Sequence, residues 1–408
     1  MIDKWLLPGI IFLMTLSLVM SYSLSVYTVL HFHYEDFHFF IRQGATVVIG
    51  LLSIFILSRL DPDVWFNRVG FFLFFVFFIM MIAMQMMPPS MVKAVGGAKR
   101  WIDLGPFSIA PVEFFKVGFV FFLSWSFARK MTSDEDIPFL SELRLLTPYL
   151  IIFGFAVVLI AIFQKDLGQT VVLAFTLVTL FVMAGRSMKF FLVGAITGTI
   201  GFVGLILMAP HRMDRVLSWW ATVQDPILAL FPFEAAQRLH IDGGKEPYQI
   251  SNSLNAIFNG GFFGQGLGNG QFKLGYVSEV HTDFVLAGIA EELGFLGICI
   301  IIFTYLFIIY RLNKIAASLE NQKYALFVIG VALLIALSLI VNSYGISGMT
   351  PIKGIAVPFL SYGGSQIWAN CVAIGMVLMV SKKRILRSDM QFGAKHHQAK
   401  SAQAVKGG

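Results

Sequence analysis

His281-Thr282-Asp283-Phe284 opens an apolar run that continues to Tyr310, reading FVLAGIAEELGFLGICIIIFTYLFIIY over residues 284–310. A helix needs about 20 predominantly apolar residues to cross a hydrocarbon core of roughly 30 Å, so this run reads as a membrane span. Asp283 is then a carboxylate delivered to the membrane surface, at the end of the long segment 210–283. A fixed acid at that depth points to chemistry on a membrane-bound substrate.

Working outward, comparable runs lie near residues 5–31, 38–58, 63–87, 108–128, 146–163, 167–184, 188–209, 323–342 and 363–381. With 284–310 they predict an all-α polytopic membrane protein of ten transmembrane helices. The long loop falls between spans seven and eight, and both termini share one side. Composition agrees: 57% hydrophobic, 13% charged, 42 Phe, 18 Met and a mean hydropathy of +0.78 lie far outside the range of soluble domains. The first run continues into the multispan pattern and lacks a small-residue cleavage site, so it reads as a retained helix.

Lys and Arg in the short loops orient the bundle. One set of span ends carries Lys4, Arg59, Arg68, Arg129, Lys130, Arg186, Lys189, Arg311, Lys314 and Lys382-Lys383-Arg384, and is expected in the cytoplasm. Glu35, Asp36 and the loops 88–107, 210–283 and 343–362 then face outward, and residues 1–381 form one membrane domain. The tail 382–408 is basic and poor in large apolar residues, which predicts a disordered cytoplasmic segment. The net charge of +7 is mostly this inside bias and gives no argument for nucleic acid. Cys299 and Cys371 both fall in spans, where a thiol acts as a small apolar group, and no disulfide or metal pattern is visible. His396-His397 reads as a solvated pair.

The outward segments hold the remaining candidates. Gly96-Gly97-Ala98-Lys99-Arg100-Trp101-Ile102-Asp103 places two cations against the positive-inside trend. They read either as an anion site for phosphates or as lipid-headgroup contacts with an Arg100–Asp103 pair. Glu113 and Lys116 share a helix face in a region that soon becomes apolar, and an ionisable pair there marks either a functional cavity or an interhelical ion pair. Arg42 and Asp166 sit similarly at span ends. His211 to Leu230, with Arg212, Arg215, Trp219 and Trp220, reads as a helix lying in the interface. The glycines from Gly260 to Gly270 read as a tight, close-approach turn, since a nucleotide fingerprint would need a βαβ unit. Thr282 is available to cap the Asp283 helix, where an acid could merely offset the dipole. Asp283, Ala287 and Glu291 at i, i+4, i+8 predict two carboxylates on one face, with Glu292 beside them. The Pro- and Gly-rich stretch from Gly348 through Lys353 to Ser365 predicts a broken or re-entrant segment.

Together, Gly-Ala-Lys-Arg-Trp-Ile at 97–102, Asp166-Leu167-Gly168, Tyr248-Gln249 before the glycines, His281-Thr282-Asp283-Phe284 with Glu291-Glu292-Leu293-Gly294, and Pro358 through Ser365 resemble the SEDS family of bacterial cell-shape, division and sporulation proteins. The resemblance runs in order from about residue 5 to 381, and Lys353 in Thr-Pro-Ile-Lys-Gly favours the division branch over the elongation branch. It implies a peptidoglycan glycosyltransferase of the cytoplasmic (inner) membrane that polymerises lipid II on the outer face. The family's essential aspartate maps onto Asp283, as general base toward the sugar 4-hydroxyl that attacks the anomeric carbon of the undecaprenyl-linked glycan strand. Undecaprenyl pyrophosphate leaves, and Arg42, Arg100, Lys116 and Lys353, with Glu113, become candidate substrate-binding residues. The resemblance implies a class B penicillin-binding protein and other divisome membrane proteins as partners, no fixed cofactor, and a role for magnesium or manganese as pyrophosphate counter-ion. Two positions depart from the family pattern: Ala110-Pro111-Val112-Glu113 lacks the usual amide and hydroxyl, and Val277-Ser278 stands where Leu-Pro is frequent. The stretch Phe231 to Glu246 looks inserted. A lipid II flippase, an elongation-type glycosyltransferase and a membrane scaffold are the competing readings.

Overall fold

The computed structural model describes residues 3–383 except 93, 96, 106, 131–138, 186–188, 209, 229–236, 238–239, 241–247 and 352–353. Lys353, most of the 231–246 stretch and the tail from 384 onward therefore lie outside the described residues, as do the side chains of Arg212 and Arg215.

The apolar runs become helices: α1 Leu6–Ser23, α2 Val26–Phe32, α3 His38–Arg59, α4 Pro62–Met86, α5 Pro111–Lys130, α6 Phe139–Val157, α7 Leu167–Met183, α8 Lys189–Leu207, α9 Pro210–Leu228, α10 Tyr248–Gly260, α11 Val285–Ala316, α12 Gln322–Ile346 and α13 Gly364–Val380. Among the described residues, eight helices are long and apolar enough to cross a membrane. Two shorter apolar helices, Leu167–Met183 and Leu192–Leu207, coincide with the sixth and seventh predicted spans. The all-helical expectation needs one correction. In the 88–107 loop and just beyond it, Ala94–Val95 (β1) pairs antiparallel with Ala98–Lys99 (β2), and Ile102–Asp103 (β3) with Ser108–Ile109 (β4). Span four consequently begins at Pro111, where a proline suits the first turn.

The solvent pattern is that of a membrane protein. Phe303 and Leu306 on α11 and Ile196 and Ile200 on α8 are exposed, while the centre is filled by Phe66, Phe121, Phe327 and Tyr305. Helices α4 and α5 approach so closely that a Cβ on Gly118 would lie 2.4 Å from the Phe74 backbone nitrogen, the small-residue packing that substitutes for a hydrophobic driving force in lipid. Cys371 is buried in α13, as a small apolar residue would be, and Cys299 is exposed.

Ion pairs mark one end of the bundle: Asp3 with Arg311 at 2.5 Å and Asp63 with Lys383 at 2.5 Å. The first and last described segments therefore meet at the same end. Asp283 lies at the other end of α11.

Candidate functional site

The helix after Asp283 is not continuous. Gly294, at φ 69° and ψ −170°, splits α11 into a short piece from Val285 to Leu293 and a long one beyond. Non-helical backbone inside an apolar bundle survives only if its polar groups are satisfied by protein. The segment after α10 does this: Gln265 and Gly266 donate to the carbonyls of Glu291 and Glu292 at 2.9 and 3.0 Å, and Phe295 and Leu296 donate to those of Gly261 and Phe262 at 2.9 and 3.1 Å. So close an approach excludes side chains, and a Cβ on Gly264 would sit 2.2 Å from the Glu292 carbonyl oxygen. The glycines thus make the close-approach turn read from the sequence.

Asp283 lies ahead of the helix, outside the i, i+4, i+8 register expected to join it to Glu291. Helical geometry starts only at Val285, and both glutamates serve the loop. Glu291 accepts from the backbone N–H of Gln271 at 2.7 Å and of Phe272 at 3.1 Å, and from Asn259 Nδ2 at 2.9 Å. Glu292 accepts from Lys273 Nζ at 2.6 Å and Ser23 Oγ at 2.7 Å, with Lys273 3% and Glu292 1% exposed. Lys273 was invisible as a site residue because its partners lie on α1 and α11.

A second non-helical stretch, 355–363, is buried against the Asp283 turn, as the Pro–Gly density predicted. Ile355, Val357, Phe359, Leu360 and Ser361 are almost wholly buried. Here side chains satisfy the backbone. Ser361 Oγ accepts from Val357 N at 2.8 Å and donates to the Thr282 carbonyl at 2.7 Å. Gln43 Nε2 donates to the Ser361 carbonyl at 3.3 Å, Gln366 Nε2 to that of Ala356 at 2.5 Å, and Tyr305 Oη to that of Pro358. Tyr362 N donates to the His281 carbonyl at 2.9 Å, and the two rings meet edge to face. Burial lowers the His281 pKa and raises that of Tyr362.

Asp283 is half-buried in the turn before α11. Thr282 does not cap the helix; its hydroxyl donates to the Glu279 carbonyl at 3.0 Å. Asn342 Nδ2 donates to the Asp283 carbonyl at 2.6 Å and to the Ile355 carbonyl at 2.6 Å. A Cβ on Gly354 would stand 3.5 Å from Asp283 Oδ2, so the glycine lies beside the carboxylate, at a φ of +92° that favours glycine. Asp283, Phe284, Val341, Asn342, Gly345, Ile346, Gly354 and Ile355 line a small cleft. Four polar atoms of this neighbourhood, His281 Nδ1, Asn342 Oδ1, Thr350 Oγ1 and Gln366 Oε1, are buried without a partner among the described residues.

Arg100, Glu113 and Lys116 come together elsewhere at this end. Lys116 Nζ pairs with Glu113 Oε2 at 2.8 Å and donates to Gln169 Oε1 at 2.8 Å, while Gln169 Nε2 donates to Glu113 Oε1 at 2.9 Å. Arg100 binds the carbonyls of Gln164 and Lys165 at 2.8 and 3.1 Å, not Asp103, whose carboxylate takes Gly105 N at 3.1 Å. Lys99 donates to the carbonyls of Gln85 and Met87 at the end of α4. Both outward cations of this loop thus satisfy chain ends, as basic groups do at helix C-termini. Asp166 caps α7 through Gln169 N at 3.1 Å; burial raises its pKa and Arg100 opposes the rise. Arg42 is exposed on α3 and hydrogen-bonds Tyr362, beside the Asp283 turn. Ala110 N donates to Ser365 Oγ at 2.9 Å, tying the start of α5 to that of α13.

The family model of cell cycle proteins named for FtsW, RodA and SpoVE matches residues 4–385. The chain is 47% identical over 372 residues to a probable peptidoglycan glycosyltransferase FtsW of Helicobacter pylori, covering 91% of this chain and 96% of that one. A chain solved in work on the structural coordination of polymerization and crosslinking by a peptidoglycan synthase complex superposes with a TM-score of 0.70 at 22% identity, covering 93% of this chain and 98% of that one. The rod shape determining protein RodA of Thermus thermophilus gives a TM-score of 0.63 at 21% identity, covering 94% of this chain and 98% of that one.

Proposed function

This chain belongs to the FtsW/RodA/SpoVE family of cell cycle proteins, and from that premise we propose that it is an FtsW-type peptidoglycan glycosyltransferase whose general base is Asp283. The observation that carries the assignment of the base is the Asp283 turn itself: a half-buried carboxylate at a span end, facing Gly354 and pinned through its own carbonyl. Asp283 takes the proton from the sugar 4-hydroxyl of lipid II. The hydroxyl oxygen forms the new glycosidic bond to the anomeric carbon of the strand, and the bond from that carbon to undecaprenyl pyrophosphate breaks. Proton transfer of this kind contributes typically 10²–10⁴-fold.

The reaction is placed on the outer face of the inner membrane, with both termini in the cytoplasm; the positive-inside distribution of Lys and Arg supports this orientation. Of the cations singled out in the sequence, Arg42 is the best disposed toward a pyrophosphate near Asp283, being exposed beside Tyr362, whereas Lys116 is neutralised by Glu113. Lys353, next to Gly354, is a second candidate. Magnesium or manganese would serve here as a counter-ion of the leaving pyrophosphate. A crosslinking partner of the penicillin-binding class is supported by likeness to a chain from a peptidoglycan synthase complex.

Purified protein given lipid II in detergent tests the reading. Wild type is expected to make polymer and folded Asp283→Ala and Asp283→Asn to make none, a loss of at least about 10²-fold. Undiminished polymer in Asp283→Asn removes Asp283 from the chemistry. Transbilayer movement of lipid II without polymer would favour the transport reading.

A further inference from the structure

We propose that Asn342 is the positioning residue of Asp283, clamping its main chain to the buried segment at Gly354–Ile355 and so fixing where the carboxylate meets the sugar hydroxyl. The inference rests on the reading of Asp283 as the base. A single amide nitrogen donates to the carbonyls of Asp283 and Ile355, each at 2.6 Å, although these residues lie on different loops. The amide orientation is dictated by its partners, because a flip would set Oδ1 against two carbonyl oxygens. Asn342 is 5% exposed within a span, where a polar side chain is costly unless it has work to do.

The clamp explains a geometric fact that helix capping does not. Phe284, at the N-cap position, offers no side-chain bond. The turn needs an external tether, and Asn342 supplies one from α12. Asn342 also lines the cleft with Asp283, and its Oδ1 is buried with no partner among the described residues.

The test measures kcat and KM for lipid II polymerisation by the full chain carrying Asn342→Ala, Asn342→Asp or Asn342→Ser, with Asp283→Asn in parallel. A misplacement of about 1 Å costs on the order of 10²-fold. Asn342→Ala and the isosteric Asn342→Asp are expected to lose about that in kcat, with KM within roughly threefold of wild type. Asn342→Ser, which keeps one donor, recovers part of the loss. A space-filling role predicts instead that Asp, of the same size, is close to wild type, and that result overturns the inference, as does wild-type kcat in the Ala variant. If these variants do not fold, Gly354→Ala decides, because its Cβ reaches 3.5 Å from Asp283 Oδ2 at a φ of +92°. It is expected to lower kcat alone, and wild-type kcat there rejects the clamp. An active Asp283→Asn fails the base reading itself; a dead Asp283→Asn beside fully active Asn342 variants fails the clamp only.

Discussion

The chain breaks regular structure twice within its apolar bundle, and the two breaks are repaired by different means. At Gly294 the freed backbone groups pair with the backbone of 261–266, with the buried Lys273–Glu292 pair holding the loop in place. At 355–363 neutral side chains, Asn342, Ser361, Gln366, Gln43 and Tyr305, carry much of the backbone beside the bond from Tyr362 N to the His281 carbonyl. Backbone repair tolerates most side-chain changes provided close approach is preserved, whereas side-chain repair makes every partner a point of failure. The second break is also the one that touches His281, Thr282 and Asp283, and its neighbourhood holds four of the six buried side-chain polar atoms without a partner among the described residues.

The largest expected effect falls on the charged part of the first break. Lys273→Met leaves the Glu292 carboxylate buried without its cation, at a cost of about 3–5 kcal/mol. Thermal unfolding in detergent is expected to show that loss, and the double variant Lys273→Met/Glu292→Met to recover most of it. A double variant no better than the single one would mean that the pair is not the unit holding the loop.

An intermediate effect separates the two kinds of repair. Ser361→Ala orphans the Val357 N–H and the Thr282 carbonyl, a loss of about 1–3 kcal/mol accompanied by reduced polymerisation. Gln265→Ala, which leaves the backbone N–H of Gln265 on the Glu291 carbonyl, is expected to stay within about 0.5 kcal/mol of wild type. Equal losses in the two variants would erase the distinction.

The smallest effect is a pH dependence at the second break. His281 is held neutral because burial lowers its pKa from 6.5, against the raising influence of Glu279. A depressed folded value means that the contribution to stability is complete above the unfolded pKa and is lost as pH falls through the folded one. Melting temperature measured from pH 7.5 down to 5 is expected to fall more in wild type than in His281→Phe. Parallel curves would show that His281 does not couple folding to protons here.

Much of this was legible in the residues. The apolar runs placed the helices because period and length are local properties, and Asp283 stood out because it closes the long segment 210–283 where an apolar run begins. The Pro–Gly density before Ser365 announced the second break. The first was hidden, since a single Gly inside an apolar run costs only about 1 kcal/mol in a helix and reads as tolerated. Glu291 was assigned to the Asp283 face because helical periodicity describes a face but not what packs on it. Lys99 and Arg100 read either as an anion site or as headgroup contacts, and their bonds to carbonyls at helix ends depend on residues distant in sequence. Asn342 carried a signal that could have been read, an amide in an apolar span. Lys273 carried none, because its meaning depends on Ser23 and Glu292.

The partners of the first spans emerge late from the ribosome. Ser23 waits for Glu292, 269 residues away, Asp3 for Arg311, 308 away, and Gln43 for Ser361, 318 away. At about 5–20 residues per second, Gln43 spends roughly 16 to 64 s in the translocation machinery or the bilayer before the Ser361 carbonyl arrives. The Asp283 end of the bundle is thus completed only when nearly the whole chain has been made, and a truncated product lacks the contacts that hold this turn.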